Sequence, residues 1–91
     1  MTIEKKLNKA LKTKDENLIH SIFEEIYNEY GKLVYLKIME YIKEEESAKN
    51  IMQNVFVCFF NNINLIKLES IKDYLLNSAE KRTINYLKCK N

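Results

Sequence analysis

Apolar residues recur at steps of three and four along most of the chain, which is the spacing that lines one side of an α-helix. The pattern predicts a short helix over residues 3–13 and a long second helix after Asp15, a residue type that favours helix starts. The second apolar stripe resumes directly after Gly31, so we expect this glycine either to end the second helix or to bend it. The stripe consists of Ile19, Ile22, Phe23, Ile26, Tyr27, Tyr30, Val34, Tyr35, Ile38, Tyr41 and Ile42.

The third predicted helix follows a charged corner at residues 44–46 and has Ser47 as its expected N-cap. Its apolar residues are Ala48, Ile51, Met52, Val55, Phe56, Phe59, Phe60 and Ile63.

After a loop, Ser70 is the expected cap of a last helix. The apolar residues of that helix are Ile71, Tyr74, Leu75, Ala79, Ile84 and Leu87. Because the connections between these helices are short, the expected fold is all-α, a compact bundle of three to five helices.

Composition narrows the class of protein further. The 91 residues contain 46% hydrophobic residues, enough for one domain with its own core and too many for a disordered tail. A single glycine and no proline argue against an all-β fold, which needs many tight turns. No stretch resembles a signal peptide or is long enough to span a bilayer, so we expect a cytoplasmic protein without a membrane partner.

Charge is distributed unevenly, although the formal net charge is only +2. Residues 21–60 carry four Lys against seven acids, whereas residues 61–91 carry six Lys or Arg against three acids. An acidic middle and a basic C-terminal third predict different faces for different partners.

The residue types that catalysis needs do not converge in this sequence. His20 is the single histidine, and no spacing pairs it with a serine or with Cys58 or Cys89. Neighbouring carboxylates at residues 24–25 and 44–46 point in different directions around a helix, and no glycine-rich loop is present to hold phosphate. We therefore expect no enzyme activity, no metal and no cofactor.

Three sequence blocks carry a resemblance to a known family. Residues 23–30, FEEIYNEY, and then LVY at 33–35 resemble a family pattern that reads Phe-x-x-Leu-Tyr-x-x-Tyr and runs on to Val-Tyr. Residues 48–57, AKNIMQNVFV, resemble Ala-Glu-Asp-Leu-Val-Gln-Glu-Val-Phe-Leu. The stretch from Ile71 to Lys88 resembles Phe-x-x-Trp-Leu followed by Ala and by Ile-Asp-x-x-Arg. In this order they resemble region 2 of bacterial sigma factors of the sigma-70 family, in its extracytoplasmic-function form.

The resemblance implies a sigma region 2-like helical domain over residues 21–91, preceded by an N-terminal helical extension over residues 1–20. It implies a transcription initiation module that binds core RNA polymerase and recognises and melts the promoter minus-ten element. The positions implied to dock on the clamp helices of the polymerase β′ subunit are Asn50, Gln53 and Asn54.

For promoter DNA, the resemblance implies that the loop at about 61–69 captures a base flipped from the non-template strand and that the last helix contacts the DNA. The implied DNA-binding residues are Asn62, Asn64, Lys67, Lys72, Tyr74, Lys81, Arg82, Lys88 and Lys90. The lysines would add affinity without sequence information, since they contact phosphates.

Departures from the family pattern keep alternatives open. The family usually has acids at Lys49, Asn50 and Asn54, and two acid-to-amide changes would weaken a basic clamp contact by about 1–3 kcal/mol. No region 4 pattern occurs up to Asn91, so we expect the promoter-reading region 4 either to have been cut off or to lie on another chain. One alternative is a sigma-like interaction module, a decoy or split-sigma accessory subunit that binds a regulator or another sigma without opening promoters itself. In either case an anti-sigma factor or a separate region 4 chain is a further possible partner. A second is an unrelated helical bundle with convergent patterning.

Overall fold

A computed structural model of the protein describes residues 2–63 and 70–90, the side chain of Lys90 excepted. Within these ranges the chain forms four helices and no strand, which confirms the predicted all-α bundle. Their bounds are α1 Ile3–Thr13, α2 Glu16–Met39, α3 Glu45–Asn61 and α4 Ile71–Lys90. The predicted DNA contacts at Asn64, Lys67 and the Lys90 side chain lie outside the described residues.

The first helix has the predicted bounds, and the second begins at the predicted position. Lys14 adopts a left-handed backbone conformation with φ 55° and separates α1 from α2. Asp15 caps α2 as predicted, because its Oδ1 accepts a hydrogen bond from the Leu18 backbone N–H at 3.2 Å. The expectation that Gly31 could end the second helix is wrong, since α2 continues to Met39. One glycine inside a helix costs only about 1 kcal/mol, and burial of the apolar side chains around it offsets that cost.

The starts of α3 and α4 differ in how well their caps were predicted. Ser47 is not the N-cap of α3, because the helix begins at Glu45 with Glu44 in the cap position. Carboxylates favour the first turn of a helix, where they face its partial positive charge, and this extends α3 toward its acidic corner. Ser70 caps α4 as predicted, accepting from the Asp73 backbone N–H at 3.2 Å.

All four helices contribute to one hydrophobic core. Its fully buried members include Leu7, Ala10, Ile26, Val34, Ile38, Ala48, Val55, Phe59, Ile71, Leu75 and Ala79. On α4 the buried row continues to Thr83, whereas the predicted Ile84 is only partly buried. The Thr83 hydroxyl donates to the Ala79 carbonyl at 2.7 Å, so a polar side chain is accommodated inside the core.

The N-terminal helix packs onto α2 and belongs to this same core. Leu7 and Ala10 are fully buried, and Lys6 Nζ pairs with Glu25 Oε1 at 3.3 Å across the helices. The predicted boundary between residues 20 and 21 lies inside α2, so it does not coincide with a break between helices. None of the helices in the described ranges has both the length and the apolar character needed to cross a bilayer.

Candidate polymerase and nucleic-acid interface

The residues predicted to bind polymerase share one surface of α3. Asn50, Gln53 and Asn54 are all exposed, and their three- and four-residue steps place them on one side of the helix. Val57 continues the row one turn further on and is 52% exposed. We call Asn50, Gln53, Asn54 and Val57 the α3 face. Sequence analysis missed Val57, although an apolar residue outside the buried stripe was the signal that could have identified it.

Shallow grooves border the α3 face on both sides. Gln53 lies at the edge of a groove of about 510 Å³ between α2 and α3. That groove is lined by Tyr27, Asn28, Gly31, Lys32, Tyr35, Glu45, Lys49 and Met52. Asn54 lies at the opposite edge, in a groove shared with Arg82 and Asn85 of α4. The α3 face is therefore a ridge that a partner helix could contact from either side.

A second surface lies on α4 and brings three predicted DNA-binding residues together. Tyr74, Lys81 and Arg82 line one depression of about 500 Å³ with Asn77, Ser78 and Asn85. We call these six residues the α4 face. They supply an aromatic ring, two cations, two amides and a hydroxyl, which together could bind bases and phosphates.

The other predicted DNA-binding residues are spread around this face. Lys88 is exposed and follows Lys81 by two helical turns on the same side of α4. Lys72 is also exposed, but it precedes Tyr74 by two residues and so points about 200° around the helix. Asn62 lies at the end of α3, where its side-chain amide donates to the Cys58 carbonyl at 2.9 Å. The structure thus groups Tyr74, Lys81, Arg82 and Lys88 and separates Lys72 and Asn62 from them.

Two residues of the α4 face contact side chains of α3. The Tyr74 ring lies 5.6 Å from the Phe59 ring, measured between centroids, and Phe59 is fully buried. The Arg82 guanidinium donates through Nη2 to Cys58 Sγ at 2.7 Å. These contacts restrict the rotamers of Tyr74 and Arg82, which lowers the entropy that either side chain would lose on binding a ligand.

Glu80 precedes Lys81 in the sequence, but its carboxylate forms a hydrogen bond on another side of α4. Glu80 Oε1 accepts a hydrogen bond from the Tyr41 hydroxyl of the α2–α3 connection at 2.9 Å. This hydrogen bond is the main reason that the pKa of Tyr41 lies above its usual value of 10.0. The Glu80 carboxylate is therefore directed toward Tyr41 and does not line the α4 face.

His20, the single histidine of the sequence, lies on the surface of α2. His20 is exposed and contacts Phe23 edge-on, with 6.5 Å between ring centroids. Nowhere in residues 2–63 and 70–90 do three or more His, Cys, Asp or Glu side chains cluster as metal ligands.

No protein-family model matches the chain, and neither a curated protein nor a solved structure matches it significantly.

Proposed function

We propose that this chain is a cytoplasmic transcription initiation module of the sigma region 2 type. In this proposal the α3 face binds core RNA polymerase at the β′ clamp helices, and the α4 face recognises the promoter minus-ten element and helps to melt it. One observation carries the proposal: two exposed polar surfaces of different chemistry lie on neighbouring helices of one bundle. A module that joins polymerase to promoter DNA needs two such surfaces at a fixed distance from each other.

The α3 face suits a helical protein partner. Side-chain amides donate and accept hydrogen bonds, and Asn50, Gln53 and Asn54 present three of them in a row beside the apolar Val57. Each amide contact contributes about 1 kcal/mol, so binding through this face alone is modest. A modest affinity for polymerase suits a chain that binds promoter DNA at the same time, because the two contacts together keep it in the complex.

The α4 face suits single-stranded DNA. Stacking of one base on an aromatic ring contributes about 1–3 kcal/mol, and Tyr74 supplies such a ring. Lys81, Arg82 and Lys88 lie along the same side of α4, where they can follow consecutive phosphates. Extruding a base from an A·T-rich step costs a few kcal/mol, which stacking and phosphate contacts together can offset.

The first test measures capture of purified bacterial core RNA polymerase, or of a β′ clamp-helix fragment, by the immobilised chain. Gln53→Ala should reduce capture about fivefold, the effect of losing one hydrogen bond at the interface. Asn8→Ala is the matched control, because Asn8 is an exposed amide on α1, away from the α3 face. Equal capture by both variants would refute docking through the α3 face, and no capture by the folded unmodified chain would refute polymerase binding.

A second test addresses the DNA half of the proposal. The polymerase-bound chain should bind a single-stranded minus-ten oligonucleotide, and Tyr74→Ala should weaken this binding about fivefold or more through lost stacking. Tyr74→Phe keeps the ring and should retain most of the affinity, which separates stacking from loss of the hydroxyl. Equal affinities for all three chains would exclude Tyr74 as a stacking platform.

A sigma-like interaction module without independent promoter opening is the second candidate. The observation that favours it is an apolar pair on α2, Leu33 and Leu36, which are 41% and 50% exposed and lie outside both faces. Such a pair suits a protein partner more than DNA. Permanganate reactivity of thymines in the minus-ten region distinguishes the two functions, because only promoter opening makes those thymines reactive.

A further inference from the structure

The N-terminal helix reaches the start of α4 through one side chain. Glu4, in the first turn of α1, accepts a hydrogen bond from the Ile71 backbone N–H through Oε2 at 3.0 Å. The two residues are 67 positions apart, and Ile71 is the first residue of α4. The contact is therefore a tertiary cap on α4, supplied by a helix that lies outside the sequence resemblance.

A carboxylate in this position stabilises the first turn of α4. The first backbone N–H groups of a helix have no acceptor within the helix, and the N-terminus carries a partial positive charge. The local cap at Ser70 serves the Asp73 N–H, whereas Glu4 serves the Ile71 N–H. The two acceptors thus act on different donors of the same turn, so neither replaces the other.

The packing of α1 fixes where the Glu4 carboxylate lies. Leu7 is fully buried and Ile3 nearly so, and the Lys6–Glu25 ion pair joins α1 to α2 on an exposed side. Glu4 is also close enough to Tyr30 of α2 to raise the pKa of that phenol, after the larger effects of burial and of Glu29. Residues of α1, α2 and α4 therefore meet at the Glu4 side chain.

We propose that Glu4 is a positioning residue that fixes the first turn of α4 and, through it, the Tyr74 ring. The Tyr74 backbone N–H donates to the Ser70 carbonyl at 3.1 Å, so Tyr74 closes the turn that Glu4 caps. A change in this turn would shift the ring relative to Lys81 and Arg82. The consequence for DNA rests on the proposed function, whereas the effect on α4 does not.

The test is backbone amide hydrogen exchange, followed by NMR on the full chain. Glu4→Asp keeps the charge beside the α1 N-terminus but has a shorter side chain that no longer reaches Ile71. Exchange at Ile71 should accelerate about tenfold, the factor that corresponds to one lost hydrogen bond to a charged group. Amides in the middle of α4, such as that of Thr83, should keep their rates, and the Tyr74 ring resonances should shift.

Two further variants separate capping from general loss of stability. Glu4→Gln keeps an oxygen acceptor at the same reach and should restore most of the protection at Ile71. Glu24→Ala removes an exposed carboxylate from α2 and should leave the exchange at Ile71 unchanged. Unchanged exchange at Ile71 in Glu4→Asp would overturn the proposal, and so would equal acceleration throughout α4.

The DNA measurement then relates Glu4 to the proposed function. For the polymerase-bound chain, Glu4→Asp should raise the Kd for the minus-ten strand about two- to tenfold, because fewer molecules hold the binding conformation. Capture of polymerase should stay the same. Accelerated exchange with an unchanged Tyr74 ring and unchanged DNA affinity would overturn the positioning role. If the unmodified chain binds no DNA, the proposed function fails. Hydrogen exchange at Ile71 and the Tyr74 ring resonances then still decide whether Glu4 positions the first turn of α4.

Discussion

The α3 face and the α4 face lie on neighbouring helices, and both consist mainly of polar residues on the side away from a buried apolar stripe. Their chemistry nevertheless differs. The α3 face presents three amides and a valine, while the α4 face surrounds Tyr74 with Lys81 and Arg82. Amides act only at contact distance, whereas cations act over about 8 Å at physiological ionic strength. The α4 face can therefore attract a polyanion at a distance, whereas the α3 face would bind a partner only through close fit.

The faces also differ in how the bundle supports them. Tyr74 and Arg82 rest on Phe59 and Cys58 of α3, so α3 partly determines the shape of the α4 face. The residues of the α3 face extend from a single helix into solvent. Damage to the shared core should therefore affect the α4 face more than the α3 face.

Removing the aromatic core residue beneath Tyr74 should have the largest effect. Phe59→Ala should lower the free energy of unfolding by about 3–5 kcal/mol, because Phe59 is fully buried and its loss leaves a cavity. Urea unfolding followed by circular dichroism measures the change. Val57→Ala, an exposed position on the same helix, should change stability by less than about 0.5 kcal/mol. Similar losses in both variants would contradict the burial that distinguishes these positions.

The salt dependence of DNA binding should distinguish the α4 face from the α3 face. Lys81→Ala should reduce the slope of log affinity against log salt for minus-ten DNA by about 0.7, the value for one phosphate contact on a single strand. Gln53→Ala should lower polymerase capture without changing the salt slope for DNA, since it removes no charge. Titrations between low and physiological salt measure both slopes. A change of slope in Gln53→Ala, or none in Lys81→Ala, would remove the electrostatic distinction between the faces.

The smallest expected effect concerns pH and the Tyr41–Glu80 hydrogen bond. The pKa of Tyr41 is raised in the folded protein, first by this hydrogen bond and then by burial, so the fold favours the protonated phenol. The contribution to stability is fully present below pH 10.0, the unfolded value, and is lost as pH rises through the higher folded pKa. Denaturation at a series of pH values above 9 should show a shallower decline for Tyr41→Phe than for the unmodified chain. Identical declines in stability for the two chains would show that the Tyr41–Glu80 hydrogen bond does not contribute to this pH dependence.

Periodicity predicted much of the fold because burial in a helical bundle follows the spacing of apolar residues. Local sequence sets the α1 bounds and the caps at Asp15 and Ser70, and these predictions are confirmed. Most of the predicted apolar row of α3 is buried, although Met52 and Phe60 are only partly so. Ser47 was misjudged as a cap because acidic residues before it extend the helix. For the interface, sequence placed Asn50, Gln53 and Asn54 on one helix side, but their role as a polymerase contact stays a prediction.

Local sequence patterns are sufficient to give the helical class, the helix order and the polar residues that face outward. These depend on interactions between residues a few positions apart, which a linear pattern records. The packing of the helices, by contrast, places Phe59 and Cys58 of α3 against Tyr74 and Arg82 of α4, and Glu4 of α1 at the start of α4. Such contacts depend on the distances and rotations between packed helices, which the buried side chains of the whole core set together.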